Sequence, residues 1–486
     1  MDAAGPTGAP APVRRRRRSR WWLAAAAVLV AVVALTAVVS PGGIFCGGIP
    51  LRVGDPAYTA QVSRTAEWAA TRAGPYSDAQ VDEIAENTSY FLIPKFAENY
   101  DIAKQFDDVR RIKAAAKAKK RDVKVFMYVS AQYWLQTYDE GWKPWSDEFR
   151  DSYRLDDHKG DPVPFYGQTG SQSAGSDPIG YVVDLTNPDY RDFIVGVTKD
   201  WMDEAPLDGV VFDSANPFIG DSTVRRANAD GVSTANQILC GQNTSRVDAD
   251  GNCPRVAAWN DGLAEMLQEV TDAYTAAGKE VVYNGVAPSQ LRVNRNVALL
   301  DHTDGATNEG FCYNPSVTNK TRISLNSITD DAALMRDVAA QGKKVFQITN
   351  FQSDARTPLG PYCLAAFLMG WQPGSSFFIY HQGYAYGIAD LPILPEQDLA
   401  LGNPTTTGYE EQGSVLSRSF QHGFVAVNNS DDAATFTAPR SGSRYQDGEL
   451  VGRINSGASV SLPARSAAFF LDSSSIPAVG SAFGVC

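Results

Sequence analysis

From about residue 79 the chain alternates short runs rich in Val, Ile, Tyr and Phe with stretches of helical length whose apolar residues recur three and four apart. This alternation is the signature of βα units around a parallel sheet. The runs predict strands at YFLIPKF (90–96), VKVFMYVSA (123–131), IGYVVDL (179–185), LDGVVFDS (207–214), KEVVYNGV (279–286), HTDGATNE (302–309), KVFQITNF (344–351) and SSFFIYHQ (375–382). Eight is the number that a closed (β/α)8 barrel needs. Between them, Phe193, Val197, Trp201 and Met202 follow Pro188, while Leu263, Met266, Leu267 and Val270 form a stripe that ends at Gly278. Such stripes are core faces of helices packed on a sheet. The rival open doubly wound sheet lacks a GxGxxG after its first strand. The expected fold class is therefore α/β, a (β/α)8 TIM barrel spanning residues 79–402.

The texture changes beyond residue 402. Segments such as SVLSRSF, GFVAVNN, ATFTAP and ASVSLPARSAAFFLD alternate over short spans with turn residues between them, which predicts a small antiparallel β-sandwich over 403–486. At the other end, Arg14–Arg18 and Arg20 precede Trp21–Val39, a run of 19 uncharged residues. That length suffices to cross about 30 Å of hydrocarbon as a helix. The expected layout is a cytosolic basic tail (1–20), one transmembrane signal-anchor (21–40) and a spacer (41–78), with the body outside the cell membrane. Cleavage after Ser40 would instead release a secreted body, but Pro41 makes a poor processing site.

Charge narrows the partners. Outside residues 1–45 the chain carries 37 basic and 54 acidic residues, a net −17. Such a surface repels phosphate backbones and no other basic stripe exists, so nucleic acid is excluded and an uncharged or cationic partner expected. Six cysteines in an exported chain are expected to pair. Cys240 and Cys253 bracket one polar loop and make the best pair; Cys312 with Cys363 and Cys46 with Cys486 are further candidates among 15 arrangements. Four His residues and no CxxC or HxxxH spacing argue against a metal site, and no cofactor is expected.

Side chains at the C-terminal ends of barrel strands line the active-site face. Three carboxylates hold such positions: Asp184 in GYVVDLTNP on the third predicted strand, Asp213 in DGVVFDSANPF on the fourth and Glu309 in TDGATNEGF on the sixth. An acid closing an apolar strand is costly unless hydrogen-bonded or useful. For Asp184 the competing reading is a cap for the helix that follows Asn187 and Pro188. Converging carboxylates suit glycosidic hydrolysis, in which one acid protonates the leaving oxygen and another attacks or stabilises the sugar carbon. Aromatics on the same strand ends or in adjoining loops offer faces for sugar rings, among them Tyr128, Trp134 and Tyr380, with a concentration in AQYWLQTYDEGWKPW after the second predicted strand. His381 is read as a substrate contact or a packing residue. GxSxG and GxxxxGK[ST] are both absent.

The block YVVDLTNPDYRDFIVGVTKDWMDEAPLDGVVFDSANP pairs an Asp-ending strand, a helix opening at Asn-Pro-x-Tyr-Arg and a strand of the form D-G-V-V-F-D. It resembles the extracellular (β/α)8 glycoside hydrolases, especially the hypothetical glycosyl-hydrolase-like family fifteen, and the resemblance extends over roughly residues 79–400. The segment from SRSFQHGFVAVNN to ARSAAFFL is similar to the β-domain that many such hydrolases carry. The resemblance implies sugar hydrolysis, with Asp213 as nucleophile or base, Glu309 as acid and Asp184 as an auxiliary. Asn284, Gln347 and Asn350 supply neutral groups for sugar hydroxyls. The function expected is a glycoside hydrolase acting on an extracellular or envelope polysaccharide or oligosaccharide. The alternative is a non-catalytic carbohydrate-binding or envelope-assembly protein on the same barrel.

Overall fold

The computed structural model describes residues 64–66, 75–93, 101–135, 145–165, 178, 180–215, 227–228, 231–232, 235–241, 252–286, 295–312, 325–351, 359–382, 394–446 and 449–472. Eight parallel strands close into a barrel: β1 (Arg64–Ala66), β2 (Tyr90–Leu92), β3 (Lys124–Ser130), β4 (Gly209–Asp213), β5 (Glu280–Asn284), β6 (Gly305–Asn308), β7 (Lys344–Phe351) and β8 (Ser376–Gln382). Each pairs with its neighbour in chain order, and β8 returns to β1 through Arg64 opposite Phe378.

Two expectations about the strands are corrected. The run 179–185 is not a barrel strand: Gly180–Val182 is the centre of a three-stranded antiparallel sheet with Tyr133–Leu135 and Pro164–Phe165, in the excursion between β3 and β4. Its apolar alternation is real, but alternation reports that a strand is buried, not which partner it takes. The missing barrel strand is β1, inside the segment 41–78 expected as a spacer. Three residues are too few to display a period, so β1 leaves no sequence signal.

Helices form the outer layer: α1 (Asp78–Asn87), α2 (Ile102–Ala118), α3 (Pro188–Glu204), α4 (Pro254–Ala276), α5 (Leu325–Ala340) and α6 (Leu359–Gly370). Asn187 caps α3 by accepting from the Asp189 amide, with Pro188 at the first helical position, where a missing N–H costs nothing. α3 buries Tyr190, Ile194, Val197 and Trp201 against the sheet. α4 buries Val256, Trp259, Leu263, Met266, Leu267, Val270 and Tyr274, and the chain leaves it through Gly278 at φ +68°, a left-handed position natural to glycine. Disulfides Cys240–Cys253 and Cys312–Cys363 are both formed, one holding the loop before α4 and the other tying the turn after β6 to α6. The Cys46–Cys486 pairing lies outside the described residues. So do residues 1–63, with the expected tail, anchor and most of the spacer. Among the described residues no helix is long and apolar enough to cross a membrane.

The barrel interior is filled by Tyr90, Leu92, Phe126, Val211, Val282, Phe346, Ile348, Phe377 and Ile379. Gly209 is obligatory beneath them, because a Cβ there would sit 2.1 Å from the Phe126 ring. The N-terminal ends of the strands are closed by charge. Glu280 on β5 pairs with Lys124 on β3 and with Lys344 on β7 at 3.0 Å. Asp208 accepts the Val125 amide at 2.8 Å, and Asp304 the Val281 amide at 2.8 Å, each carboxylate terminating a neighbouring strand.

The C-terminal part is a six-stranded antiparallel sheet (410–412, 415–420, 423–428, 466–471, 442–446, 449–454 in spatial order) with a two-stranded sheet, 434–437 and 459–462. Phe424, Ala426, Ala468 and Phe470 face Phe436, Val460 and Leu462 of the smaller sheet. Leu416, Phe420, Val425, Val427, Phe469 and Leu471 join the core shared with the barrel helices. α6 therefore lies between the barrel and a sheet, which explains why LGPYCLAAFLMG is apolar all round and buried over Tyr362–Gly370.

Arg418 fastens this junction. Only 2% exposed, it donates to the carbonyls of Leu368, Met369 and Trp371, at 2.9, 3.2 and 2.8 Å, and to that of Thr406 at 2.9 Å. A cation at the end of α6 meets its orphaned carbonyls and the negative end of its dipole. Burial, with repulsion from Arg336, pushes the guanidinium down to about 10. Arg418→Met, which keeps the bulk but removes every donor, is expected to cost about 2–3 kcal/mol of stability. A wild-type denaturation midpoint in that variant, by circular dichroism, would show that the cap contributes nothing.

Candidate active site

Side chains alternate along the strands, so the residues that follow the interior filling upward can be read from it. On β3, Phe126 points inward and Tyr128 follows it; on β4, Val211 is followed by Asp213; on β5, Val282 by Asn284. The register pairs Ser130 with Asp213 and Asn284 with Thr307. Four adjacent strands, β3 to β6, thus place polar side chains in one layer directly above the apolar plug.

The layer is bonded together. Tyr128 Oη donates to Asp213 Oδ2 at 2.9 Å. Asn284 Nδ2 donates to Asp213 Oδ1 at 2.7 Å and to Glu309 Oε1 at 2.8 Å. Thr307 Oγ1 donates to Asn284 Oδ1, which fixes the amide with its nitrogen toward the acids. Both oxygens of Asp213 accept bonds, so its carboxylate plane is set. Asp213 is buried, whereas Glu309, one residue past β6, is half-exposed between buried Asn308 and exposed Gly310. Ser214, directly after Asp213, has φ +57°, a left-handed conformation that costs a non-glycine residue about 1 kcal/mol. The chain leaves β4 sharply there.

Of the residues singled out from sequence, Asp213, Glu309, Asn284 and Tyr128 are brought together. Asp184 is not. It lies on the excursion between β3 and β4, where its Oδ1 accepts from Thr186 N at 3.0 Å and Thr186 Oγ1 at 2.6 Å, in the turn that leads into the Asn187 cap of α3. Gln347 is fully buried, but it sits between inward-pointing Phe346 and Ile348 and so points outward, accepting from Asn308 Nδ2 at 2.8 Å. Trp134 stacks on Phe149 at 4.6 Å and packs on Phe193 of α3. Tyr133 stacks on Phe165 at 3.7 Å, and Trp145 donates its indole N–H to Asp200. The described aromatics after β3, Tyr133, Trp134 and Trp145, therefore serve packing, while Tyr138 and Trp142 lie outside the described residues. Asn350 and His381 face each other in the register of β7 and β8, with Tyr380 beside them; their side chains lie outside the described residues.

Two contributors were missed from sequence. Thr307 shares the inward face of TDGATNEGF with Glu309, a signal visible in the period of two. Asp331 on α5 occupies the stripe Ile328, Asp331, Ala332, Met335, Val338, all buried, where an acid is out of place. Its Oδ1 accepts from Asn308 Nδ2 at 3.0 Å, and burial lifts its carboxyl well above the usual carboxylate range. Among the described residues no group of three or more His, Cys, Asp or Glu is placed to hold a metal ion.

The solved structures similar to this chain include an α-amylase from Geobacillus thermoleovorans (11% identity, TM-score 0.46, covering 85% of this chain and 98% of that one). A maltogenic α-amylase from Thermotoga neapolitana (9%, TM-score 0.49, 85% and 99%) is also similar. So is a GH27 β-L-arabinopyranosidase from Geobacillus stearothermophilus (10%, TM-score 0.46, 88% and 99%). The strand pairing described above, not these likenesses, carries the fold assignment. No curated protein sequence matches the chain. The model of hypothetical glycosyl hydrolase family 15 matches residues 117–424, more than half of the sequence and every strand of the bonded layer, and the chain belongs to that family.

Proposed function

We propose that this protein is a glycoside hydrolase that cleaves glycosidic bonds of an extracellular or cell-envelope polysaccharide, with Asp213 and Glu309 as its two carboxylates. The observation that carries the reading is the shared amide. Because Asp213 Oδ1 and Glu309 Oε1 touch the same nitrogen at 2.7 and 2.8 Å, they lie within about 5.5 Å of each other, which favours retention over the roughly 6.5–9.5 Å that inversion requires.

The roles follow from the surroundings. Asp213, buried and held at both oxygens, is the nucleophile: its oxygen attacks the anomeric carbon while the glycosidic bond breaks. Glu309, half-exposed at the rim, gives its proton to the leaving oxygen, then takes one from the water that hydrolyses the glycosyl-enzyme. Tyr128 and Asn284 orient the acids through the hydrogen bonds they donate. The acidic body fits an uncharged or cationic glycan. The Arg-flanked run 21–39 and the two disulfides support a membrane-anchored protein whose body faces an oxidising exterior.

The test is release of reducing ends from a panel of bacterial envelope and plant polysaccharides. Asp213→Asn is expected to lower kcat by at least about a thousandfold with folding intact. Glu309→Gln should be similarly impaired on the polysaccharide, yet recover kcat/KM on aryl glycosides with good leaving groups, whose departure needs no acid. Wild-type-like rates in either variant would remove that residue from the mechanism. If one polysaccharide is retained in a pull-down but never cleaved, the carbohydrate-binding alternative replaces hydrolysis.

Asn284→Ala removes the donor shared by both acids and is expected to lower kcat by about a hundredfold. An unchanged kcat would mean that the bridge plays no part in turnover.

A further inference from the structure

Behind the rim of the site lies a buried polar group that the mechanism above does not use. Along β6 the chain alternates, with Thr307 inward at Asn284 and Asn308 outward toward α5, before the half-exposed Glu309 returns to Asn284. Asn308 Oδ1 accepts from Gly310 N at 3.1 Å, so Glu309 is the central residue of a turn closed by the Asn308 side chain. The amide end of the same side chain is anchored twice, donating to Asp331 Oδ1 on α5 at 3.0 Å and to Gln347 Oε1 on β7 at 2.8 Å. Asn308 and Asp331 are each 2% exposed and Gln347 0%.

An amide is nearly symmetric in shape, so only its partners decide which end points where. Here both hydrogens of Asn308 Nδ2 go to acceptors on the helix-facing side, which turns Oδ1 toward Gly310. We infer that Asp331 is a positioning residue for Glu309, acting through Asn308 to hold the turn on which the acid is carried. The hydrogen bond of Asp331 is to Asn308. Burial raises the proton affinity of Asp331, and the hydrogen bond from Asn308 opposes that rise, so the acid and the amide are coupled across the β6–α5 contact. Three residues beyond Glu309, Cys312 is tied to Cys363 of α6, so the far side of the turn has its own tether.

The inference rests on Glu309 being the proton donor, and leaving-group dependence separates the two claims. The probes are the polysaccharide cleaved by the wild type and aryl glycosides of its sugar, from poor leaving groups to 2,4-dinitrophenol. Asp331→Leu, which cannot accept a hydrogen bond, is expected to lower kcat on the polysaccharide by about ten- to a hundredfold with KM changed less than about threefold. On the dinitrophenyl glycoside the loss in kcat/KM should shrink to within about threefold, since forming the glycosyl-enzyme from that leaving group needs no acid. Asp331→Asn, which keeps the acceptor, should stay near wild type throughout. In the Glu309→Gln background, Asp331→Leu should add nothing further, because residues acting through one group are not additive. If Asp331→Leu does not fold, Asn308→Ala removes the same anchor from the strand side and should give the same leaving-group signature. Exchange of the Gly310 amide with deuterium, faster in Asp331→Leu and Asn308→Ala but not in Asp331→Asn, reads the turn directly.

A loss of kcat/KM in Asp331→Leu that is equal on all leaving groups, or that adds fully to Glu309→Gln, overturns the positioning role and leaves Asp331 a structural residue. Unchanged kcat and unchanged Gly310 exchange overturn it as well. Should Glu309→Gln itself lack the leaving-group signature, the assignment of Glu309 fails first and takes the inference with it.

Discussion

The side-chain nitrogen of Asn284 carries two hydrogens, and each is committed to a different carboxylate. Two acids held this close repel each other and lose hydration, and a shared donor offsets both effects. The donor can serve them only because β4, β5 and β6 are consecutive neighbours in a parallel sheet, so that one polar layer passes from strand to strand. Thr307 completes the arrangement by occupying the amide oxygen. The closed barrel beneath supplies what the layer requires, an apolar plug from Tyr90 to Ile379 on which the polar groups rest.

Acids at the two ends of the barrel behave differently because their surroundings do. Asp208, Asp304 and Glu280 lie at the N-terminal ends of the strands, where they accept strand amides or bridge lysines and seal the bottom. Asp213 and Glu309 lie at the C-terminal ends, where Tyr128 and Asn284 donate to them. The first group stabilises closure; the second stands on the face where this architecture carries its active sites. That division is general for this architecture.

Buried polar groups recur where layers must meet in one way only. Arg418 finds the carbonyl ends of α6 and so fixes the C-terminal sheet against the barrel. The Asn308, Asp331 and Gln347 cluster does the same for α5 against β6 and β7. Apolar surfaces alone tolerate sliding, whereas hydrogen bonds in a dry interior are satisfied in few registers.

Much of this was legible in the chain itself. The alternation of β-rich runs with helical stripes determined the βα architecture and seven of the eight barrel strands, because side-chain period is a local property of each segment. Position at the end of an apolar run marked Asp213 and Glu309, and strand ends likewise marked Asn284 as a neutral hydrogen-bonding group and Tyr128 as an aromatic face. Partner choice was not local. The run 179–185 has the period of a barrel strand and pairs elsewhere, carrying Asp184 with it into a turn. Arg64–Ala66 has no period to detect, yet closes the barrel. Gln347 lies in the right strand on the wrong face, since a shift of one residue exchanges inside for outside. Trp134 and Trp145 offered rings that the excursion used for packing. The chain determined which segments are strands and helices, through spacing; only the tertiary structure decided which strands are neighbours, and hence that one amide reaches two acids.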